Sequence, residues 1–158
     1  MLSHFDFSPV ARRLRREDIP AIVAMSGALA HEEDSAPLDA ALLERDALGT
    51  APGWHVLIAE SEGRPIGYGL LHRLDRAHSG RRELELQHLF VVEPWRGKGV
   101  GRWLLNQACD HARHLGCDDL SVSAAADIAA VRGFYLRCGF VPGPVSRFGK
   151  PVGALVAS

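Results

Sequence analysis

Apolar residues recur along this chain with two periods, and each change of period marks an expected element boundary. Residues 9–14 suit a short strand, after which Arg16-Glu17-Asp18-Ile19-Pro20 sets acids and a proline at a helix start. That helix is expected to run to about Leu29. An acidic connection, Glu32-Glu33-Asp34-Ser35, leads to a second helix in which Leu38, Ala41, Leu42 and Ala47 fall near one face before Gly49 ends it. The Ala51-Pro52-Gly53 turn closes this first part.

Beyond it the period shortens to two. Residues 54–60 and 65–71 read as strands joined by the Ser61-Glu62-Gly63-Arg64 turn, and a polar loop covers residues 75–82. Residues 83–92 alternate acid and leucine before turning wholly apolar at Leu89-Phe90-Val91-Val92, as expected of a strand entering the middle of a sheet. Pro94 stops it. Residues 100–115 give the clearest helix, with Trp103, Leu104, Ala108 and Ala112 near one face and Gly116 as its stop. Residues 120–124 suggest another strand, residues 128–138 another helix closed by Gly139, and residues 140–145 and 154–156 two weak final strands. The expected fold is a single α/β domain spanning residues 1–158, with a mixed central sheet of about seven strands and helices on both faces.

Composition narrows the classes of function. Of 158 residues, 47% are hydrophobic and 23% charged, as in soluble globular proteins. Eighteen basic against nineteen acidic residues give a net charge of −1, which supplies no field for a polyanion, so nucleic acid is not an expected partner. The three cysteines, Cys109, Cys117 and Cys138, form no CxxC pair, and an odd count argues against a secreted disulfide framework. The start, Met1-Leu2-Ser3-His4-Phe5-Asp6, lacks the basic and apolar regions of a signal peptide, and no stretch reaches membrane-spanning length. A cytoplasmic protein without a membrane partner is expected.

Chemistry concentrates at Arg96-Gly97-Lys98-Gly99-Val100-Gly101, a glycine-rich turn opening a helix. Glycines let successive N–H groups converge, and the helix N-terminus adds partial positive charge, which suits a pyrophosphate. Arg96, Lys98 and Arg102 stand beside it. A Walker A motif would need Ser or Thr after Gly97-Lys98, where Gly99 stands. A Rossmann fingerprint would need its third glycine one residue later. What remains is R-x-x-G-x-G, read either as an anion turn or as a plain strand-to-helix turn.

The surrounding stretch, Leu84-Glu85-Leu86-Gln87-His88-Leu89-Phe90-Val91-Val92-Glu93-Pro94-Trp95 followed by that turn and Arg102-Trp103-Leu104-Leu105, closely resembles the acetyl-CoA-binding motif of the GNAT superfamily of N-acetyltransferases. Downstream, Phe134-Tyr135-Leu136-Arg137-Cys138-Gly139-Phe140 is similar to that family's second signature. The resemblance covers nearly the whole chain and implies the GNAT fold, acetyl-CoA as co-substrate and a primary amine as acceptor. It implies that Leu89, Phe90 and Val91 offer backbone groups to the pantetheine arm, and that Arg96, Gly97, Lys98, Gly99, Val100, Gly101 and Arg102 hold the pyrophosphate. Where the family often carries a cofactor-contacting asparagine, this chain has Ile128, and Asp127 one residue earlier is the candidate for that contact. The resemblance alone also suggests a homodimer.

Acetyl transfer to an amine needs a base, because a free alkylamine with a pKa of about 10.4 is almost wholly protonated at neutral pH. Strict alternation places Glu83, Glu85 and Gln87 on one strand face and His88 on the other. By resemblance Glu85 is the candidate base, acting through a water, with Gln87 beside the acceptor, and Tyr135 is the candidate acid for the departing thiolate. The oxyanion donor is expected to be a strand N–H near Phe90. Glu32 and Glu33 lie where the family builds its acceptor side and favour a cationic amine, and the first half is somewhat similar to the diamine and thialysine acetyltransferases. Acetylation of a protein N-terminus or lysine, and a non-catalytic acyl-CoA-binding module, stay open. Asp110, His114 and Cys117 recur on one helix face without a metal-binding spacing, so no metal is expected. The Arg12-Arg13-Leu14-Arg15-Arg16 run is expected to be a solvated strand end.

Overall fold

The computed structural model describes residues 10–122 and 129–142. Five strands and four α-helices follow one another as β1 (Val10–Arg13), α1 (Ile19–Glu33), α2 (Ala40–Asp46), β2 (Trp54–Ser61), β3 (Arg64–Arg73), β4 (Glu83–Val91), α3 (Val100–His114), β5 (Asp119–Val122) and α4 (Ala129–Arg137). Short 3-10 turns precede α1 and follow β4. The sheet order is β1-β2-β3-β4-β5, antiparallel throughout except for the parallel pair β4 and β5. Five strands are therefore present among the described residues where about seven are expected. Residues 140–142 are not strand, and the rest of the two expected final strands lies outside the described residues.

Strand alternation gives the sheet two apolar faces. On the first, Val56 and Ile58 of β2, Tyr68 and Leu70 of β3 and Phe90 of β4 pack under Ile22, Met25 and Leu29 of α1 and Leu43 of α2. On the second, Leu57, Leu71, Leu84 and Leu86 pack under Leu105, Ala108 and Ala112 of α3, with Phe134 and Tyr135 of α4 against them. The helices lie on both faces, as the sequence pattern requires.

Helix ends follow local chemistry. Asp39 caps α2 by accepting from the N–H of Ala41 at 2.7 Å and of Leu42 at 3.4 Å. α1 runs on past the expected Leu29, because Ala30-His31-Glu32-Glu33 contains no breaker, and ends at Asp34 in the left-handed region. The acids Glu32 and Glu33 thus belong to a helix turn rather than a loop. α3 and α4 both close with Schellman motifs, in which Cys117 N–H reaches Ala112 O at 2.8 Å and Phe140 N–H reaches Tyr135 O at 3.0 Å.

The basic run is not simply solvated. Arg12 holds both oxygens of buried Asp18 at 2.6 and 2.8 Å and also meets the Glu60 carboxylate. The Arg12 hydrogen bonds keep Asp18 below the usual carboxylate range despite burial. One arginine thereby ties β1, β2 and the entry to α1 together.

Candidate active site

β4 has β3 beside it throughout, but β5 only along residues 83–86, where Leu86 faces Val122. Among the described residues, residues 87–91 have no strand on that side. The antiparallel ladder then decides which backbone groups are open. Val92 N–H donates to Ile66 O at 2.9 Å, so Phe90, two residues back and opposite Tyr68, also turns its backbone toward β3. A Cβ built on Gly67 would lie 2.7 Å from Phe90 O, so the glycine is what permits this approach. The N–H and C=O groups of Leu89 and Val91 consequently face the open side. Of the three residues expected to offer backbone there, Phe90 is the one the ladder withholds.

The face assigned to His88 also changes. Leu71 pairs with Leu86 and Leu70 with His88, leaving Gln87 as the extra residue of a β-bulge. The bulge breaks the period of two. Leu86 lies in the α3-side core while His88 turns to the α1 side, where its Nδ1 and the Tyr68 hydroxyl share a hydrogen bond of 3.0 Å. Burial lowers the His88 pKa and raises that of Tyr68, which keeps the proton on the phenol. Glu85, Gln87, His88 and Phe90 thus share the α1 side of the sheet, so His88 does not project from the opposite face.

Glu85 is only 6% exposed, and its Oε1 has no hydrogen-bond partner among the described residues. Opposite it in register stands His72 of β3, with Nε2 at 3.8 Å from that oxygen and 3.0 Å from the Gln87 amide nitrogen. At 3.8 Å the imidazole lies beyond hydrogen-bonding distance of that oxygen. Sequence reading missed His72, although its place two residues beyond Leu70 on β3 already gave it Leu70's face.

At the glycine turn, Gly97 and Gly99 have φ of 74° and 84°, a region that L side chains rarely adopt. Gly99 is the N-cap of α3 and supplies no side-chain cap, so the N–H groups of Val100, Gly101 and Arg102 point out of the helix start without intrahelical acceptors. That is an anion cradle of backbone. The expected cations have other duties. Arg102 donates to Arg137 O at 3.2 Å at the end of α4, and Lys98 lies 5.3 Å from the Trp95 ring centre.

Arg96 spans the site. Its Nε donates to Val91 O at 2.8 Å, its Nη2 to Glu32 at 2.9 Å, and its guanidinium sits 5.1 Å from the Phe90 ring centre. An expected donor-site cation and an expected acceptor-site acid are thus paired with each other. Glu33, by contrast, has no ion-pair or hydrogen-bond partner among the described residues. Partial desolvation and the neighbouring Glu32 raise its pKa, and its charge in turn helps raise both Tyr68 and Tyr135.

Tyr135 lies on α4 between Phe134 and Phe140, with ring centres 5.3 and 5.5 Å away and edge-to-face angles of 66° and 75°. The Schellman closure at Gly139, with φ of 90°, folds Phe140 back onto it. Burial pushes the Tyr135 hydroxyl up to about 12, so the phenol stays protonated at neutral pH. Gly101 of α3 faces this cluster, where an added Cβ would lie 3.4 Å from the Phe134 ring, an ordinary contact. Asp127 lies outside the described residues. Asp110 is taken by Arg113 at 2.6 Å, and no group of three or more metal-ligating side chains occurs among the described residues. No helix of the described residues is long and apolar enough to cross a membrane.

Comparison with known proteins agrees with this geometry. Residues 18–140 match the family model described as the acetyltransferase (GNAT) family. The thialysine N-epsilon-acetyltransferase of Sus scrofa is 27% identical over 127 residues, covering 73% of this chain and 74% of the relative. The aminoalkylphosphonate N-acetyltransferase of Salmonella typhimurium is 29% identical over 138 residues, covering 80% and 90%. A solved aminoglycoside acetyltransferase from an uncultured soil metagenomic sample superposes with a TM-score of 0.75 at 18% identity, covering 94% of this chain and 98% of that one. The open strand edge, the glycine cradle and a family match over most of the sequence place this chain in the GNAT family of acetyltransferases, as an acyltransferase whose family co-substrate is acetyl-CoA.

Proposed function

We propose that this acyltransferase acetylates a small cationic primary amine by direct attack on acetyl-CoA in a ternary complex. The observation that carries the reading is Glu85, a buried carboxylate with an unpaired oxygen on the acceptor side of the strand that also bears the open edge. A buried acceptor without a donor costs stability, and such a group is retained where a substrate or an ordered water supplies the missing hydrogen.

Leu89 and Val91 serve the pantetheine arm as backbone partners. The turn from Arg96 to Arg102 receives the pyrophosphate on its N–H groups, and Asp127 is the candidate for the further cofactor contact. The amine nitrogen bonds to the thioester carbonyl carbon, and its proton passes through a water to Glu85. The resulting oxyanion is met by the N–H of Leu89, which ladder parity favours over that of Phe90. As the C–S bond breaks, the departing thiolate takes the Tyr135 hydroxyl proton. The second proton, shed by the nitrogen as it becomes an amide, returns to the phenolate through solvent. Gln87 and Glu33 line the acceptor side, where the unpaired Glu33 charge favours an ammonium group. The relatives named for thialysine and aminoalkylphosphonates support a small-molecule acceptor.

Incubation with acetyl-CoA and a panel of small diamines, thialysine, aminoglycosides and lysine peptides, read by free thiol and product mass, tests this. Products from small cationic amines are expected. Turnover confined to peptides would move the acceptor to protein, and coenzyme binding without thiol release from any amine would overturn the proposal.

A further inference from the structure

We infer that Arg96 is a charge shared between the two substrate sites, neutralising Glu32 until acetyl-CoA is seated and then releasing Glu32 to receive the ammonium of the acceptor. The inference rests on the acetyl-CoA reading above and adds an order of binding to it.

One guanidinium makes all the contacts involved. Its Nε covers Val91 O on the open edge of β4, and its Nη2 holds Glu32 in the last turn of α1. An extended chain carrying amides adds to a free strand edge through such carbonyls, so an incoming pantetheine amide seeks the same oxygen that Arg96 occupies. The glycine cradle begins at the next residue, and phosphates held there attract the displaced guanidinium. Glu32 then loses its partner. It joins the adjacent Glu33, which has no partner among the described residues, and two neighbouring carboxylates on the acceptor side form a site for a cation.

The pair suits such an exchange because it is exposed, at 42% for Arg96 and 49% for Glu32, and exposed ion pairs are weak. Arg12 offers the contrast within the same protein. It holds both oxygens of buried Asp18 and meets Glu60 as well, a pairing drawn out of solvent rather than left exposed. Because coupling between binding sites is reciprocal, whatever the donor does for the amine the amine must do for the donor.

A double-mutant cycle on coenzyme A binding, measured by calorimetry without turnover, tests the first half. Glu32→Gln should tighten coenzyme A by about two- to fivefold, the range an exposed pair supports. The same substitution in an Arg96→Met background should change affinity little. Equal tightening in both backgrounds would mean that Glu32 merely repels phosphate at a distance, and weakened binding in Glu32→Gln would mean that the pair props the site; either result overturns the exchange. Failure of the wild type to bind coenzyme A would instead sink the donor reading itself.

Thialysine is the probe for the second half. Saturating coenzyme A should raise its affinity for the wild type and leave Glu32→Gln unresponsive. No thialysine binding to the coenzyme-loaded wild type, or coupling that survives in Glu32→Gln, removes Glu32 from the acceptor site.

Discussion

Residues 83–86 of β4 are paired with β3 on one side and β5 on the other, with Leu84 and Leu86 buried to 0% and 1% exposure, whereas residues 87–91, among the described residues, have only β3 beside them and turn the backbone of Leu89 and Val91 outward. The first segment has its backbone bonds made and its leucines packed, and it also carries Glu85, whose Oε1 has no partner among the described residues. The second leaves backbone groups of Leu89 and Val91 without a strand partner among the described residues. A fold tolerates such groups where a side chain, as Arg96 does at Val91 O, a ligand or water completes them. The two segments are continuous, so the packed one holds the open one in register. The packed leucines and the open backbone are thus separable along a single strand, with Glu85 at their junction, and substitutions at the three places should have different signatures.

The largest effect is expected in the packed half. Leu86→Ala empties a site under α3 and should cost about 3 kcal/mol of stability, a large-to-small core change. The melting temperature should drop steeply, while the fraction still folded binds coenzyme A as before. Loss of binding by fully folded variant would show that the halves are not separable.

Next comes Glu85→Gln, at the junction. It keeps shape but removes basicity, so kcat/KM should fall about a hundredfold at neutral pH and recover in part as rising pH supplies free amine. Stability should hold or rise, since an unpaired buried charge has gone. Activity and pH profile like those of the wild type would reduce Glu85 to a structural carboxylate.

Tyr135→Phe, across the open half, should lower kcat by about tenfold with little change in coenzyme affinity. The hydroxyl is pushed up to about 12, so no alkaline limb from this group should appear below pH 11. Unchanged turnover under conditions where chemistry limits the rate would leave Tyr135 as a packing residue.

The smallest effect lies away from β4. His55 of β2 and His111 of α3 share a hydrogen bond of 3.0 Å, and burial lowers His111 to about 4, helped by His55, Arg13 and His114. Between pH 6.5 and 4 the unfolded chain therefore binds a proton at this position that the folded chain refuses, and stability should fall as pH falls through that window. His111→Gln should flatten that part of a melting-temperature profile. An unaltered slope would assign the acid sensitivity of that window to His55 and His88, whose pKa values burial also lowers.

What the sequence disclosed was local. The glycine turn could be read because Gly97 and Gly99 must take positive φ, and α3 because Leu104, Leu105, Ala108 and Ala112 recur with the helical period. The Gly139 stop that presses Phe140 onto Tyr135 is local as well. Contacts between distant residues stayed hidden: Arg96 meets Glu32 across 64 positions, and His111 meets His55 across 56. The β4 bulge was missed for another reason. Alternation supposes one partner residue for each strand residue, and only the facing strand shows where that fails. Within the candidate site, Glu85, Gln87 and Tyr135 could be named from the chain, but the face of His88, the part played by His72 and the occupation of Glu32 could not.

The bulge at Gln87 also has a genetic consequence. Deleting that single codon would heal the bulge, since Leu86 and His88 would become neighbours and still pair with Leu71 and Leu70. His88 and Phe90 would keep the α1 side, and Leu89 and Val91 would keep the outward carbonyls. A codon inserted beyond the bulge would do the opposite and carry Phe90 beneath α3. The strand's last third can therefore lose its extra residue and keep its two sides, whereas a gain there has to be absorbed by a further bulge.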